Sequence, residues 1–184
     1  EVRRHPHGAL LPTEAPTIVA ANRGEPTPAL MLAAPEMIEE LSALRAEIET
    51  EGDEVPEFSH RLISRRLREV CNSVGRELPS LRAKRPYNPA FMHPDDLAAL
   101  GLVDGQRVEI ESSRSSVKAI VAASDDVRPG VVSLAHAWGG APGEDDDVEA
   151  TGTSTARLID NARDFDPISG IPRQSAIPVN VRPA

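Results

Sequence analysis

The C-terminal part of this sequence predicts a mainly β unit with short helices, preceded by a Pro-rich and helical N-terminal segment. Three observations predict it. Short Val- and Ile-rich segments recur after Gly101, and between them lie Asp-Gly, Ser-rich and Pro-Gly turns. Aromatic residues make up only 3% of a chain that is 40% hydrophobic, so a core must be built from Val, Ile, Leu and Ala. Seventeen prolines call for many turns.

Residues 1–34 are Pro-rich, and Ala29-Leu30-Met31-Leu32-Ala33-Ala34 reads as one strand or buried connector. Met37, Ile38, Leu41, Leu44 and Ile48 recur at three and four, which predicts a helix opened by Pro35 and ending near Thr50. Glu51 to Pro56 reads as a linker and a domain boundary, with the Pro-rich segment and acidic helix of residues 1–56 on one side and 57–184 as a separate domain. Leu62-Ile63 opens that domain as strand or helix, which pattern alone does not decide. From Phe91 to Gly101, Pro and acids at the front and Gly at the back mark a short helix over Pro94–Leu100. Val103–Gln106 is a turn, Arg107–Glu111 a half-buried strand, Ser112–Ser116 a turn, and Val117–Val121 the returning strand. Asp125–Gly130 turns again into Val131–Ala135, and Ala176–Val181 is the last strand. The polar stretch Gly139–Gly152 holds Glu144, Asp145, Asp146, Asp147 and Glu149; without the alternating ligands and central Gly of a calcium loop, it reads as a solvated loop.

The chain begins at Glu1 with no apolar leader core, so its start reads as a cut inside a longer chain. No long apolar run predicts a membrane span, and a single cysteine, Cys71, leaves no internal disulfide; a cytoplasmic setting is expected. The net charge of −9 is unevenly laid down. Between Pro35 and Glu57 nine acids face Arg45 alone, whereas between His60 and Pro86 eight Lys or Arg face Glu69 and Glu77. A basic island on an acidic chain suits a locally held anionic ligand, or is simply a solvated face. A nucleic-acid binder would be basic over a whole face and offer stacking rings.

The order Leu100-Gly101-Leu102, Asp104-Gly105, Pro129-Gly130-Val131-Val132, His136-Ala137-Trp138-Gly139, Asp166-Pro167-Ile168-Ser169-Gly170 and Pro178-Val179-Asn180-Val181 resembles one family. It is similar to the C-terminal dinucleotide-binding domain of the molybdenum and tungsten oxidoreductases that carry two molybdopterin guanine dinucleotides, among them formate dehydrogenases and nitrate reductases. The resemblance runs from about Leu62 to Pro183 and implies a six-stranded double-psi β-barrel; residues 1–34 also look like the end of the family's preceding domain, which makes 1–56 that end plus the acidic helix and linker. It implies cofactor contact along Ile63–Ser73, where Ser64, Arg65, Arg66, Arg68, Asn72 and Ser73 offer the forks and hydroxyls a pyrophosphate needs. Cys71 would line the cofactor or pack, and Gly75 would let backbone approach. A second strip, His136, Trp138 and Gly139, offers a ring face and donors to a pterin or guanine edge. With no second ligand nearby in sequence, His136 is not read as a metal ligand. A third strip, Thr155–Asp160 and Pro172–Ser175, departs from the family: its Asn position falls on or near Ala156 and its Lys position at Gln174 or Ser175, so Gln174 is the remaining contact there.

The resemblance implies no catalytic or metal-ligating residue in this chain. The domain binds and orients the molybdenum cofactor shared with upstream domains of the same enzyme, its expected partners together with an electron-transfer subunit. Alone it is expected to be inactive. The rival reading is a double-psi barrel used as a protein-interaction module without cofactor, because fold does not fix function.

Overall fold

The computed structural model of the chain describes residues 4, 5, 8, 13, 15–18, 32–50, 57–140 and 147–184. Helix α1 (Pro35–Thr50) forms where the three-and-four spacing predicts it. Its stripe is open, however: Leu41 and Ile48 are 62% and 72% exposed, while Leu44 lines a cleft together with Phe165 and Ile171. At the expected N-terminal connector, Leu32 is exposed; residues 29–31 and the linker 51–56 lie outside the described residues.

Strands β1 (His60–Arg65), β2 (Ala90–Met92), β3 (Arg107–Glu111), β4 (Ser116–Ala123), β5 (Val131–Ala135) and β6 (Ile177–Pro183) close into a barrel in the order β1-β5-β2-β4-β3-β6. The pairs β1–β5 and β2–β4 are parallel and the other pairings antiparallel, so the chain crosses the barrel rather than winding around it. This is the mainly β unit that the sequence predicts, closed into the six-stranded barrel that the resemblance implies. Leu62, Met92, Val108, Ile110, Val132, Leu134 and Val179 fill its interior, all fully buried. In the absence of interior rings, layers of branched aliphatic side chains reach the density a core requires.

Short helices cover the barrel: α2 (Pro79–Arg82), α3 (Pro94–Ala99) and α4 (Val148–Thr151). In α3 the sequence signals are realised in full. Pro94 occupies the first turn, and His93 Nδ1 accepts from Asp95 N at 3.2 Å. At the other end Gly101 takes φ 66°, Leu102 N donates to Leu97 O at 2.8 Å and Gly101 N to Ala98 O at 3.1 Å. That is a Schellman closure, with Leu97 and Leu102 both buried beneath it.

One strand was not expected, and one expectation needs correction. Ala90–Met92, just before α3, form β2, pinned between β4 and β5. Residues 148–151 are not solvated loop but α4, because Asp147 Oδ1 caps Ala150 N at 3.1 Å and Val148 is buried as an anchor. Glu144, Asp145 and Asp146 lie outside the described residues. No described helix is long and apolar enough to cross a membrane.

Candidate functional site

Because β1 and β5 run parallel, in register Ser64↔Leu134 and Arg65↔Ala135, the segments that follow them leave the barrel at the same end. After β1 the basic segment folds into two tight turns, bridged at Leu67–Val70 and Cys71–Val74. Cys71 N donates to Val74 O at 3.0 Å and Val74 N to Cys71 O at 2.9 Å, which puts Asn72 and Ser73 at an exposed tip. Asn72 takes φ 54°, a conformation its short amide tolerates better than most side chains. Its Oδ1 accepts from Arg66 Nη1 and lies 3.1 Å from His136 Nε2, so the imidazole carries a proton on Nε2 in this arrangement. Among the described residues Asn72 Nδ2 has no partner, so its two N–H groups stay available.

After β5 the chain turns sharply: Ala137 has φ 67° and Gly139 φ 90°. Arg76 holds this turn, donating from Nη1 to Ala137 O at 3.3 Å and Gly139 O at 3.1 Å. A Cβ on Gly139 would stand 2.8 Å from both N and Cβ of Ser154, so glycine is required for the two segments to touch. Trp138 points down, buried against Val70, Ala135 and Leu67, with its Nε1 unpartnered among the described residues.

The third segment closes on the other two. Ser64 Oγ donates to Gln174 O at 2.9 Å, and Arg157 Nη2 donates to Gly140 O at 3.3 Å. Beside these bonds lies an open cleft of about 700 Å³, to which Arg114, Ser115, Arg157, Asn161 and Gln174 contribute polar groups and Ala156 and Ile159 apolar ones. The lining holds two guanidinium groups and no carboxylate. Asp166, in the adjoining turn, is bound by the Ser169 backbone N–H and hydroxyl, which hold its carboxyl below the usual carboxylate range.

With this geometry in place, the comparison with known proteins is specific. The family described as molydopterin (molybdopterin) dinucleotide binding domain matches residues 61–178, well over half of the chain. The chain belongs to this family. Among solved structures, the acetylene hydratase from Pelobacter acetylenicus is similar in fold, with a TM-score of 0.61 and 19% identity over 83% of this chain and 20% of that one. This chain therefore spans about a fifth of that enzyme's length. No curated protein matches the sequence.

The donor set of this molybdopterin dinucleotide-binding domain fits such a group. Arg66, Asn72, His136 and the cleft residues are guanidinium, amide, imidazole and hydroxyl groups, complementary to phosphate oxygens and heterocycle edges. Of the residues expected from sequence, the structure brings together Ser64, Arg66, Asn72, His136, Gly139 and Gln174. Ser73 and Cys71 sit on the exposed tip beside them, and Arg68 is exposed on the preceding turn with no side-chain partner among the described residues. Gly75, at φ 101°, faces inward: a Cβ there would meet Glu69 O at 2.9 Å. Trp138 is packed as described, and Arg65 is not brought in at all. Strand alternation sends it to the outer face, 4.1 Å over the Phe91 ring, where it lines a separate groove with Ile63 and Arg128. Among the described residues no three His, Cys, Asp or Glu side chains gather as metal ligands.

Sequence reasoning missed Arg76, Asn88, Arg114 and Arg157. Arg76 lies inside the basic island but carries no sign that it braces carbonyls. The Asn88-Pro89 dipeptide signals a turn, not a buried clamp. The Ser-rich turn that holds Arg114 is readable as a turn, yet its place beside the third segment comes from long-range bonds such as Ser112 Oγ to Leu158 O, at 3.0 Å, and Thr153 Oγ1 to Lys118 O, at 2.8 Å.

Proposed function

We propose that this domain binds and orients a molybdopterin guanine dinucleotide as the C-terminal part of a larger, cytoplasmic molybdenum- or tungsten-dependent enzyme. One observation carries the reading: three segments distant in sequence converge on one end of the barrel, tied by Ser64–Gln174, Asn72–His136 and Arg157–Gly140. Arg66, Asn72 and His136 act as donors to the dinucleotide, and the Arg114–Arg157 cleft accepts a further anionic or polar edge. When bound, the cofactor supplies a dithiolene-held metal for oxygen-atom or hydride-equivalent transfer; this chain contributes binding, orientation and exclusion of water. The upstream domains of the same enzyme are the partners that share a pair of such cofactors and supply the metal-ligating residue, and an electron-transfer subunit is a further partner of a formate dehydrogenase- or nitrate reductase-like assembly. Because the metal-ligating residue lies upstream in this reading, the reaction itself is assigned to the upstream part.

The test replaces Arg66 and Asn72 together by Ala in the full-length enzyme and measures metal and guanine nucleotide per protein. Charge-assisted bonds contribute roughly 1.5–3 kcal/mol each, so retention should fall about tenfold or more, while the pair Asp145→Asn and Asp146→Asn leaves it unchanged. Unchanged metal and nucleotide in a folded Arg66/Asn72 variant would refute the assignment.

A further inference from the structure

Asn88 lies between the second and third segments and reaches neither the cleft nor solvent; it is 1% exposed. Its Nδ2 donates to Ala135 O at 2.7 Å and to Thr153 O at 2.9 Å, and its Oδ1 accepts from Thr153 N at 2.7 Å. Ala135 is the last residue of β5, immediately before His136, and Thr153 leads into the Thr155–Leu158 turn that carries Ala156 and Arg157. One planar amide thus joins the launch points of two segments through three bonds, in a dry setting where each bond is stronger than in water.

The surroundings are shaped to this amide. A Cβ on Gly152 would stand 2.5 Å from Asn88 Oδ1 and 2.9 Å from Trp138 Cε3, so the chain passes there only as glycine. Two further ties between the segments, Gly139 N to Thr151 O at 2.9 Å and Arg157 to Gly140 O, are made by residues less buried than Asn88. Water competes with them; it does not compete with Asn88.

We propose that Asn88 is a positioning residue for the cofactor: without touching it, the amide fixes the spacing between the His136–Gly140 turn and the Arg157 wall of the cleft. The proposal rests on the cofactor-binding reading above. Without the amide, the carbonyls of Ala135 and Thr153 and the Thr153 N–H lose their partners, and the segments can satisfy them only by parting to admit water.

The experiment uses the full-length holoenzyme with Asn88→Ala, Asn88→Asp and, as a control, Val108→Ala, a fully buried residue of β3, a strand that does not pair with β5. Asn88→Asp keeps the shape and the acceptor for Thr153 N but loses both donated bonds. At a temperature below every melting midpoint, the release rate of the guanine nucleotide and the circular dichroism of the bound cofactor are measured. Both Asn88 variants should release it about tenfold faster, with an altered cofactor band, whereas Val108→Ala keeps the parent's rate and band at a comparable loss of melting temperature. If Asn88→Ala does not accumulate folded, Asn88→Asp decides alone. Release at the Val108→Ala rate with an unchanged band overturns the positioning role. If that result accompanies normal loosening by the Arg66/Asn72 pair, only this proposal falls; if that pair also has no effect, the cofactor-binding reading falls with it.

Discussion

Gly152→Ala should be among the most damaging small substitutions in this chain, and the structure lets its cost be divided. Gly152 has φ 75° and ψ −167°, a region essentially restricted to glycine, and forcing Ala into it costs about 1–3 kcal/mol. The new methyl would also lie 2.5 Å from Asn88 Oδ1 and 2.9 Å from Trp138 Cε3, and overpacking of this kind adds about 1–3 kcal/mol. Neither neighbour can yield cheaply, since Asn88 is held by three hydrogen bonds and Trp138 is buried on Val70. A total of about 4 kcal/mol is a large share of the stability of an ordinary domain and corresponds to a fall in melting temperature of roughly 8–16 °C. The reference variant is Gly105→Ala: Gly105 has φ 79° but nothing within 4 Å of a built Cβ, so only backbone strain remains. Urea unfolding followed by the fluorescence of Trp138, the single tryptophan, gives both values. A Gly152→Ala cost within about 1 kcal/mol of the Gly105→Ala cost would show that the clamp around Asn88 is loose.

Two further outcomes follow from the same geometry. His60 is buried, with Nδ1 2.7 Å from Ser59 Oγ and Nε2 3.8 Å from Asp96 Oδ2; burial lowers its pKa below 6.5 although Asp96 pulls it upward. The unfolded chain then takes up a proton more readily than the folded one, so this residue's contribution is whole above pH 6.5 and is lost as pH falls below it. Urea midpoints taken from neutral pH downward should show that decline, and His60→Gln should flatten it; identical slopes in parent and variant would contradict the assignment. Arg65→Ala, which removes a guanidinium stacked 4.1 Å over Phe91, should cost about 0.5–1 kcal/mol of stability and leave cofactor content of the full-length enzyme unchanged. Nucleotide loss matching that of the Arg66/Asn72 pair would place Arg65 in the site after all.

Most of the barrel was legible because its strands are bounded by local chemistry. Arg107–Glu111 alternates in and out, Asp104-Gly105 turns the chain, and Gly101 closes a helix in the only backbone region that permits a Schellman bond. β2 escaped because Ala90–Met92 is three residues long and abuts the Pro-and-acid start of α3; its strand character comes from β4 and β5, not from itself. The parallel pairing of β1 with β5 was likewise invisible, since it joins residues about seventy positions apart in sequence. Helix α1 shows the converse. Periodicity sufficed to place the helix but says nothing of what covers its stripe.

The candidate site was legible as segments that the fold brings together, and not as side chains. Once β1 is known to be a strand, alternation separates Ser64 from Arg65; while strand and helix stood open, both could be placed on the cofactor. The basic island is a sharper case, because as composition it suggested that its cations serve one anion. In the folded chain Arg76 is engaged with the carbonyls of Ala137 and Gly139 and with Glu77, Arg82 with Ala150 O and Glu77, and Arg85 with Glu69 at 3.9 Å. Their positive charge is balanced by nearby acids or directed into backbone oxygens: Arg76 braces the turn after β5, Arg82 reaches α4, and Arg85 faces Glu69. Among the described residues, the cations placed to meet an anion at this end of the barrel include Arg66, with guanidinium donors beyond its bond to Asn72, the exposed Arg68, and Arg114 and Arg157 from outside the island. A small set of this kind, fixed by hydrogen bonds to Asn72 and by the Ser112 tie, can hold a dinucleotide on a chain of net charge −9, because contacts at hydrogen-bond distance are screened far less than the long-range repulsion.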